Sequence, residues 1–77
     1  GWIYHLELGW LYAAPGGTPD SIWVWCPRMS AWLWTGNTTY PFFWNSTSGA
    51  WWWYYRGTGN GSGGWFHNYG LGLNEWH

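Results

Sequence analysis

Histidines and carboxylates are the side chains of this chain best suited to acid–base or metal chemistry, and they are few: His5, His67, His77, Glu7, Glu75 and Asp20. His5 and Glu7 stand two residues apart, so on one strand they would share a face and could chelate a metal. His67, Glu75 and His77 could supply further ligands, but the spacing fits no zinc pattern. Solvated polar residues near turns are the plainer reading, and neither a metal nor a cofactor is expected. Glu7 and Glu75 are a conceivable carboxylate pair for glycoside hydrolysis, yet such a pair needs a deep, shaped cleft. That is hard to build on 77 residues. Cys26 is followed by Pro27, which signals a turn rather than an activated thiolate. As the single cysteine it can form no internal disulfide, and it reads as a small buried hydrophobe. With no serine or cysteine in a nucleophile motif, no enzyme is expected.

Two other residue sets carry chemistry of a binding kind. Asn37-Thr38-Thr39, Asn45-Ser46-Thr47 and Asn60-Gly61-Ser62 are glycosylation triplets, so Asn37, Asn45 and Asn60 are candidate acceptors. Asn, Ser and Thr also gather in turns for backbone reasons, which alone would produce such triplets. The second set is aromatic. Twelve tryptophans, six tyrosines and three phenylalanines make up 27% of the chain, and residues 51 to 55 read Trp-Trp-Trp-Tyr-Tyr. Rings in that density can pack as a core, dock against another protein, or stack on sugars.

Composition narrows the partner. Two arginines and three acidic residues leave 6% charge and a net charge of −1. A small soluble domain usually has about a quarter to a third of its surface charged. Nucleic acid is a poor partner, because two cations cannot track a phosphate backbone. No apolar run approaches the roughly 20 residues that span a bilayer as a helix. The first residue is Gly1 rather than Met, which reads as a processed product or an excised piece.

The elements that must hold these rings follow from a repeat. Trp2-Ile3-Tyr4 and Trp10-Leu11-Tyr12 form the first unit; Trp23-Val24-Trp25 and Trp32-Leu33-Trp34 form the second. Phe42-Phe43-Trp44 and Trp51-Trp52-Trp53 form the third, and a worn fourth runs from Trp65-Phe66-His67 to near Trp76. The starts recur about every 21 residues, and each unit reads as strand, tight connection, strand. Turn residues fill the connections: Leu8-Gly9, Cys26-Pro27-Arg28, Asn45 to Gly49, and Tyr69 to Gly72. Longer breakers separate the units, the last of them the glycine-rich stretch 57–64, which reads as a flexible loop.

The expected fold is therefore all-β. Residues 1–77 form a single domain of about four consecutive antiparallel hairpins, a meander or short solenoid, with a small closed barrel as the alternative. Helix is not expected anywhere. Period-two alternation puts Trp2, Tyr4, Trp10, Tyr12, Trp23, Trp25, Trp32, Trp34, Phe42, Trp44, Trp51, Trp53 and Tyr55 on one face. Ile3, Leu11, Val24, Leu33, Phe43, Trp52 and Tyr54 fall on the other, as the intrachain core. Neither face is polar, whereas a half-buried antiparallel sheet normally keeps one polar side.

The string GWIYHLELGWLYA, followed by IWVWCPRMSAWLWT, YPFFWNST, WWWYY, WFHNY and EW, resembles a Trp-rich module at the C-terminal ends of extracellular proteins from verrucomicrobia-like environmental bacteria. The likeness runs over nearly the whole chain. It implies an extracellular or cell-surface location and brings no established activity. More distantly, Trp44, Gly49, Trp51, Trp52 and Trp53 resemble the hairpin pattern of choline- and glucan-binding cell-wall repeats. The second unit departs from that pattern with Ser30 in place of glycine, and the first is one residue short. This likeness implies hairpin architecture only.

The leading functional expectation is a structural protein that self-associates, as a homo-oligomer or filament such as a fibre or surface layer. Two apolar faces, near-zero charge and open sheet edges support it. The alternative is a carbohydrate-binding or cell-wall-attachment module. In either case the contact residues expected are Trp10, Tyr12, Trp23, Trp25, Trp32, Trp34, Trp44, Trp51, Trp53 and Tyr55.

Overall fold

The structure, a computed structural model, describes residues 1–77. It is all-β, with eight strands and no helix. They are β1 (Trp2–His5), β2 (Gly9–Ala13), β3 (Ile22–Cys26), β4 (Ala31–Thr35), β5 (Phe42–Asn45), β6 (Ala50–Tyr54), β7 (Trp65–Asn68) and β8 (Leu73–Trp76). Each is antiparallel to its neighbour in sequence, in the single order β1 to β8. The sheet is an open meander, and the closed barrel is excluded because β1 and β8 do not pair.

Four hairpins repeat one turn design. The fourth residue after the last residue of each odd strand adopts a positive φ: Gly9 at 81°, Ser30 at 50°, Gly49 at 65° and Gly72 at 69°. The left-handed region is needed at this point of each turn, and three of the four positions are glycine. In three of the four hairpins the last residue of the odd strand also acts on the turn. Asn45 Oδ1 accepts from the backbone N–H groups of Thr47 (3.0 Å) and Ser48 (3.1 Å). Asn68 Oδ1 accepts from Gly70 (2.8 Å) and Leu71 (3.3 Å). His5 does the same with its ring: Nδ1 accepts from Glu7 (3.2 Å) and Leu8 (3.0 Å). Turn N–H groups that would otherwise lack a partner are thus satisfied by the side chain of the strand residue two or three positions before them.

A flat sheet with its side chains is about 10 Å thick. This molecule measures 32 × 25 × 23 Å, because the sheet coils and covers its own inner face. The core inside the coil consists of Leu8, Leu11, Val24, Cys26, Ala31, Leu33, Phe43, Trp52, Tyr54 and Phe66. Leu11, Val24, Leu33, Phe43, Trp52 and Tyr54 are the face expected to form the core. Ile3 is the exception: it lies on the edge strand, where no further strand flanks it, and remains 44% exposed.

The coil is fastened where the β1–β2 turn meets the β6–β7 loop. Gly61 N donates to the Glu7 carbonyl (2.8 Å). The Glu7 carboxylate accepts from the Tyr54 hydroxyl (2.5 Å) and from Gly57 N (2.6 Å). The stretch 57–64, expected to be a flexible loop, is instead a fitted cover for Tyr54. Gly59 N donates to the Tyr54 hydroxyl (3.1 Å), and Trp65 N to Thr58 Oγ1 (3.0 Å). A Cβ at Gly59 would lie 2.6 Å from the Tyr54 hydroxyl, and one at Gly64 would lie 2.5 Å from its ring. Glycine is needed here for close approach to a ring, not for looseness.

Candidate functional site: the outer aromatic face

The outer face is set by hairpin register. Gly1 and Ala13 exchange both backbone hydrogen bonds, so Trp2/Tyr12 and Tyr4/Trp10 fall at the alternate, non-hydrogen-bonded positions. Side chains stand closer together there, which favours ring contacts. Trp2 meets Tyr12 at 5.4 Å between ring centroids and Tyr4 meets Trp10 at 5.1 Å. The same positions in the other hairpins pair Trp25 with Trp32 (5.7 Å), Phe42 with Trp53 (4.6 Å), Trp44 with Trp51 (5.4 Å) and Trp65 with Trp76 (5.8 Å). Tyr12–Trp32 (6.5 Å) and Trp34–Trp51 (6.3 Å) link one hairpin to the next. All of these pairs are edge-to-face, a geometry that suits the ring quadrupoles and leaves some ring faces turned to solvent.

All ten expected contact rings lie on this face. Trp10, Trp23, Trp32, Trp51 and Tyr55 are exposed, while Tyr12, Trp25, Trp34, Trp44 and Trp53 are half-buried by their neighbours. Trp34 Nε1 donates to Ser21 Oγ (3.0 Å), and Tyr55 Oη donates to Asn74 Oδ1 (3.2 Å). Trp2, Tyr4, Trp65 and Trp76 extend the face to both edges of the sheet and are also exposed. Alternation already puts Trp2 and Tyr4 on this face, and the same pattern could have placed Trp65 and Trp76.

Besides a shallow hollow beside Trp2, Trp10 and Pro27, a larger depression interrupts the face. Thr38 and Thr39 of the β4–β5 loop, Phe42, Trp51 and Tyr69 of the β7–β8 turn line an open cup of about 590 Å³. Phe42 touches both other rings, Trp51 at 6.4 Å and Tyr69 at 6.1 Å. Of these five, sequence reasoning singled out only Trp51 as a contact. The cup joins a loop to a turn that are far apart in the chain, and no local pattern marks it.

The titratable residues fall into separate networks. His5 lies at the end of β1 and Glu7 in the turn beyond it, so they do not share a strand face. His5 Nε2 bonds to Tyr40 Oη (3.2 Å), and the His5 ring stands edge-on to Tyr54. At the other edge, His77 Nε2 lies 3.1 Å from Glu75 Oε1, and Asn68 Nδ2 donates to Glu75 Oε2 (3.0 Å). His67 points to the opposite face and bonds Asn74 Oδ1 (2.7 Å). No three His, Cys, Asp or Glu side chains converge. Cys26 is free and buried.

The three sequon asparagines differ in context. Asn37 and Asn60 are exposed in loops. Asn45 is buried, with its amide oxygen holding the β5–β6 turn, so a glycan there would have to displace the turn. Comparison of the chain with family models, curated proteins and solved structures finds no match.

Proposed function

We propose that this chain is a non-enzymatic structural module that associates with further copies of itself through the outer aromatic face, in an extracellular or cell-surface setting. The observation that carries this reading is the presence of a second apolar face after the core is complete. The inner face already supplies ten buried residues. The outer face still leaves Trp2 and Trp10 57% exposed and Trp32 36% exposed, in a continuous array of rings with few charges. Contiguous apolar patches of that kind mark interaction surfaces on small proteins, and tryptophan and tyrosine dominate the binding energy of interfaces. A net charge of −1 offers little repulsion between copies. Unpaired outer edges on β1 and β8 would let a head-to-tail contact extend without closing, which yields a filament. The three histidines, Glu7 and Glu75 are engaged in turn and edge hydrogen bonds, which supports a role without catalysis.

Sedimentation velocity at micromolar concentrations tests the proposal. Assemblies are expected for the unmodified chain. Trp32→Ser should weaken them with an unchanged far-ultraviolet spectrum, while Thr18→Ala in a loop should not. A monomer across the whole dilution series would overturn it, as would equal effects of the two changes.

A further inference from the structure

We infer that the cup formed by Thr38, Thr39, Phe42, Trp51 and Tyr69 binds a neutral sugar. The argument starts from what lines it. Three rings form the apolar part, with Phe42 in contact with both others, and Trp51 40% and Tyr69 57% exposed. Two threonines bring hydroxyls to the rim. The hydroxyls of Thr38, Thr39 and Tyr69 have no side-chain or backbone partner within the chain, and none is a buried orphan, so they are open to a ligand. No Asp, Glu, Lys, Arg or His lines the cup.

That combination selects one ligand chemistry. A pyranose carries C–H groups on its ring faces and hydroxyls around its rim. Its apolar face can rest against an aromatic ring while its hydroxyls exchange hydrogen bonds with threonine and tyrosine oxygens, which both donate and accept. A charged ligand would meet no counter-charge, and a quaternary cation would leave the threonine hydroxyls without a role. A wholly apolar ligand would cover the hydroxyls without satisfying them. The volume of about 590 Å³ lies in the range of small-ligand sites and leaves room for a disaccharide. Open walls and few polar groups point to weak, exchangeable binding, suited to a surface that meets a polymer at many places. The inference does not rest on self-association: of the five cup residues only Trp51 is also assigned to that contact.

The test is a titration of the intact chain with cellobiose, maltose and N,N′-diacetylchitobiose, followed by the indole N–H resonance of Trp51, with sedimentation run in parallel to track assembly. At least one of these sugars should give a saturable shift with a millimolar dissociation constant. Tyr69→Ala and the double change Thr38→Val/Thr39→Val should each weaken it about three- to tenfold, the worth of one stacking contact or one hydrogen bond. Leu6→Ala, at an exposed turn position outside both the cup and the aromatic face, should leave it unchanged. Folding of each variant is checked by circular dichroism, and the exposure of Tyr69 makes its replacement structurally mild. Absence of a saturable shift with all three sugars up to about 50 mM overturns the inference, since weaker binding has no specific meaning at such sites. It is equally overturned if Tyr69→Ala binds as the unmodified chain does, or if tetramethylammonium binds and the sugars do not. Loss of sugar binding with assembly intact separates this inference from the proposed self-association.

Discussion

His5 uses both ring nitrogens, and that fixes its protonation. Nδ1 accepts from two backbone N–H groups, so it carries no proton, and the proton sits on Nε2 facing Tyr40 Oη. Burial lowers the His5 pKa below its usual 6.5; Glu7 opposes this shift and Arg28 adds to it. The unfolded chain therefore takes up a proton near pH 6.5 that the folded chain resists, and stability is lost as pH falls through the lowered folded value. His5→Asn should keep the turn, because Asn45 and Asn68 hold theirs with the same two bonds. It should also remove this acid step, and urea midpoints measured against pH would show it. A second acid step should follow below pH 4.5. Hydrogen bonds from Tyr54 and Gly57 lower the Glu7 pKa, and one from Asn68 lowers that of Glu75. At the alkaline end, burial and the bond to Glu7 push Tyr54 up from 10.0 to about 12. An acid whose folded pKa is raised stabilises fully below its unfolded value, so stability should decline as pH rises from 10.0 towards 12.

Within the elements, the four turns set up a direct comparison. Ser30 occupies the left-handed position that glycine holds in the other three, where a side chain costs about 1–2 kcal/mol. Its hydroxyl makes one bond to Pro27 O at 3.4 Å, too long to offset that. Ser30→Gly should raise stability by about 1 kcal/mol, less the added freedom of the unfolded chain, and a thermal melt would show the increase. Strand β6 gives a second comparison. Trp52 is buried and Trp53 faces outward beside Phe42. Trp52→Ala should cost about 3–5 kcal/mol and unfold a domain of this size. Trp53→Ala should keep the fold, lose about 0.5–1.5 kcal/mol of ring pairing, and weaken association. Circular dichroism and light scattering on the two variants would separate the effects. Much of this was legible in the sequence, because a hairpin is local: its turn residues and its period-two pattern lie within a single repeat. The split of Trp51, Trp53 and Tyr55 from Trp52 and Tyr54 follows from alternation alone. What was not legible depends on coiling. Glu7 and Tyr54 are 47 residues apart, and nothing local announces their bond. The glycines of 57–64 looked like slack because the ring they cover is supplied by another strand. The cup escaped because it joins the β4–β5 loop to the β7–β8 turn, which the sheet order brings together across β5 and β6.

At the scale of the whole molecule, two populations of contact coexist. The hairpins close between near neighbours, with partners such as Asn45 and Ala50 or Cys26 and Ala31. The clasp between the first turn and the β6–β7 loop joins residues 47 and 50 positions apart. Long-range closure costs chain entropy before it returns any contact energy, so such contacts tend to form late. Glu7→Gln weakens the clasp and leaves every strand pair intact. It should therefore speed unfolding while leaving the folding rate nearly unchanged, as stopped-flow tryptophan fluorescence would measure. The clasp also has a consequence for synthesis on the ribosome. The first hairpin is made early, yet its Glu7 turn lacks its clasp partners until Tyr54, Gly57 and Gly61 have also emerged. The partners lie 47 and 50 residues further along, so that much more chain must be made before this turn can be clasped. A nascent chain stalled before Gly57 would present an unclasped first hairpin together with the tryptophans, and chaperone engagement should be greatest in that interval.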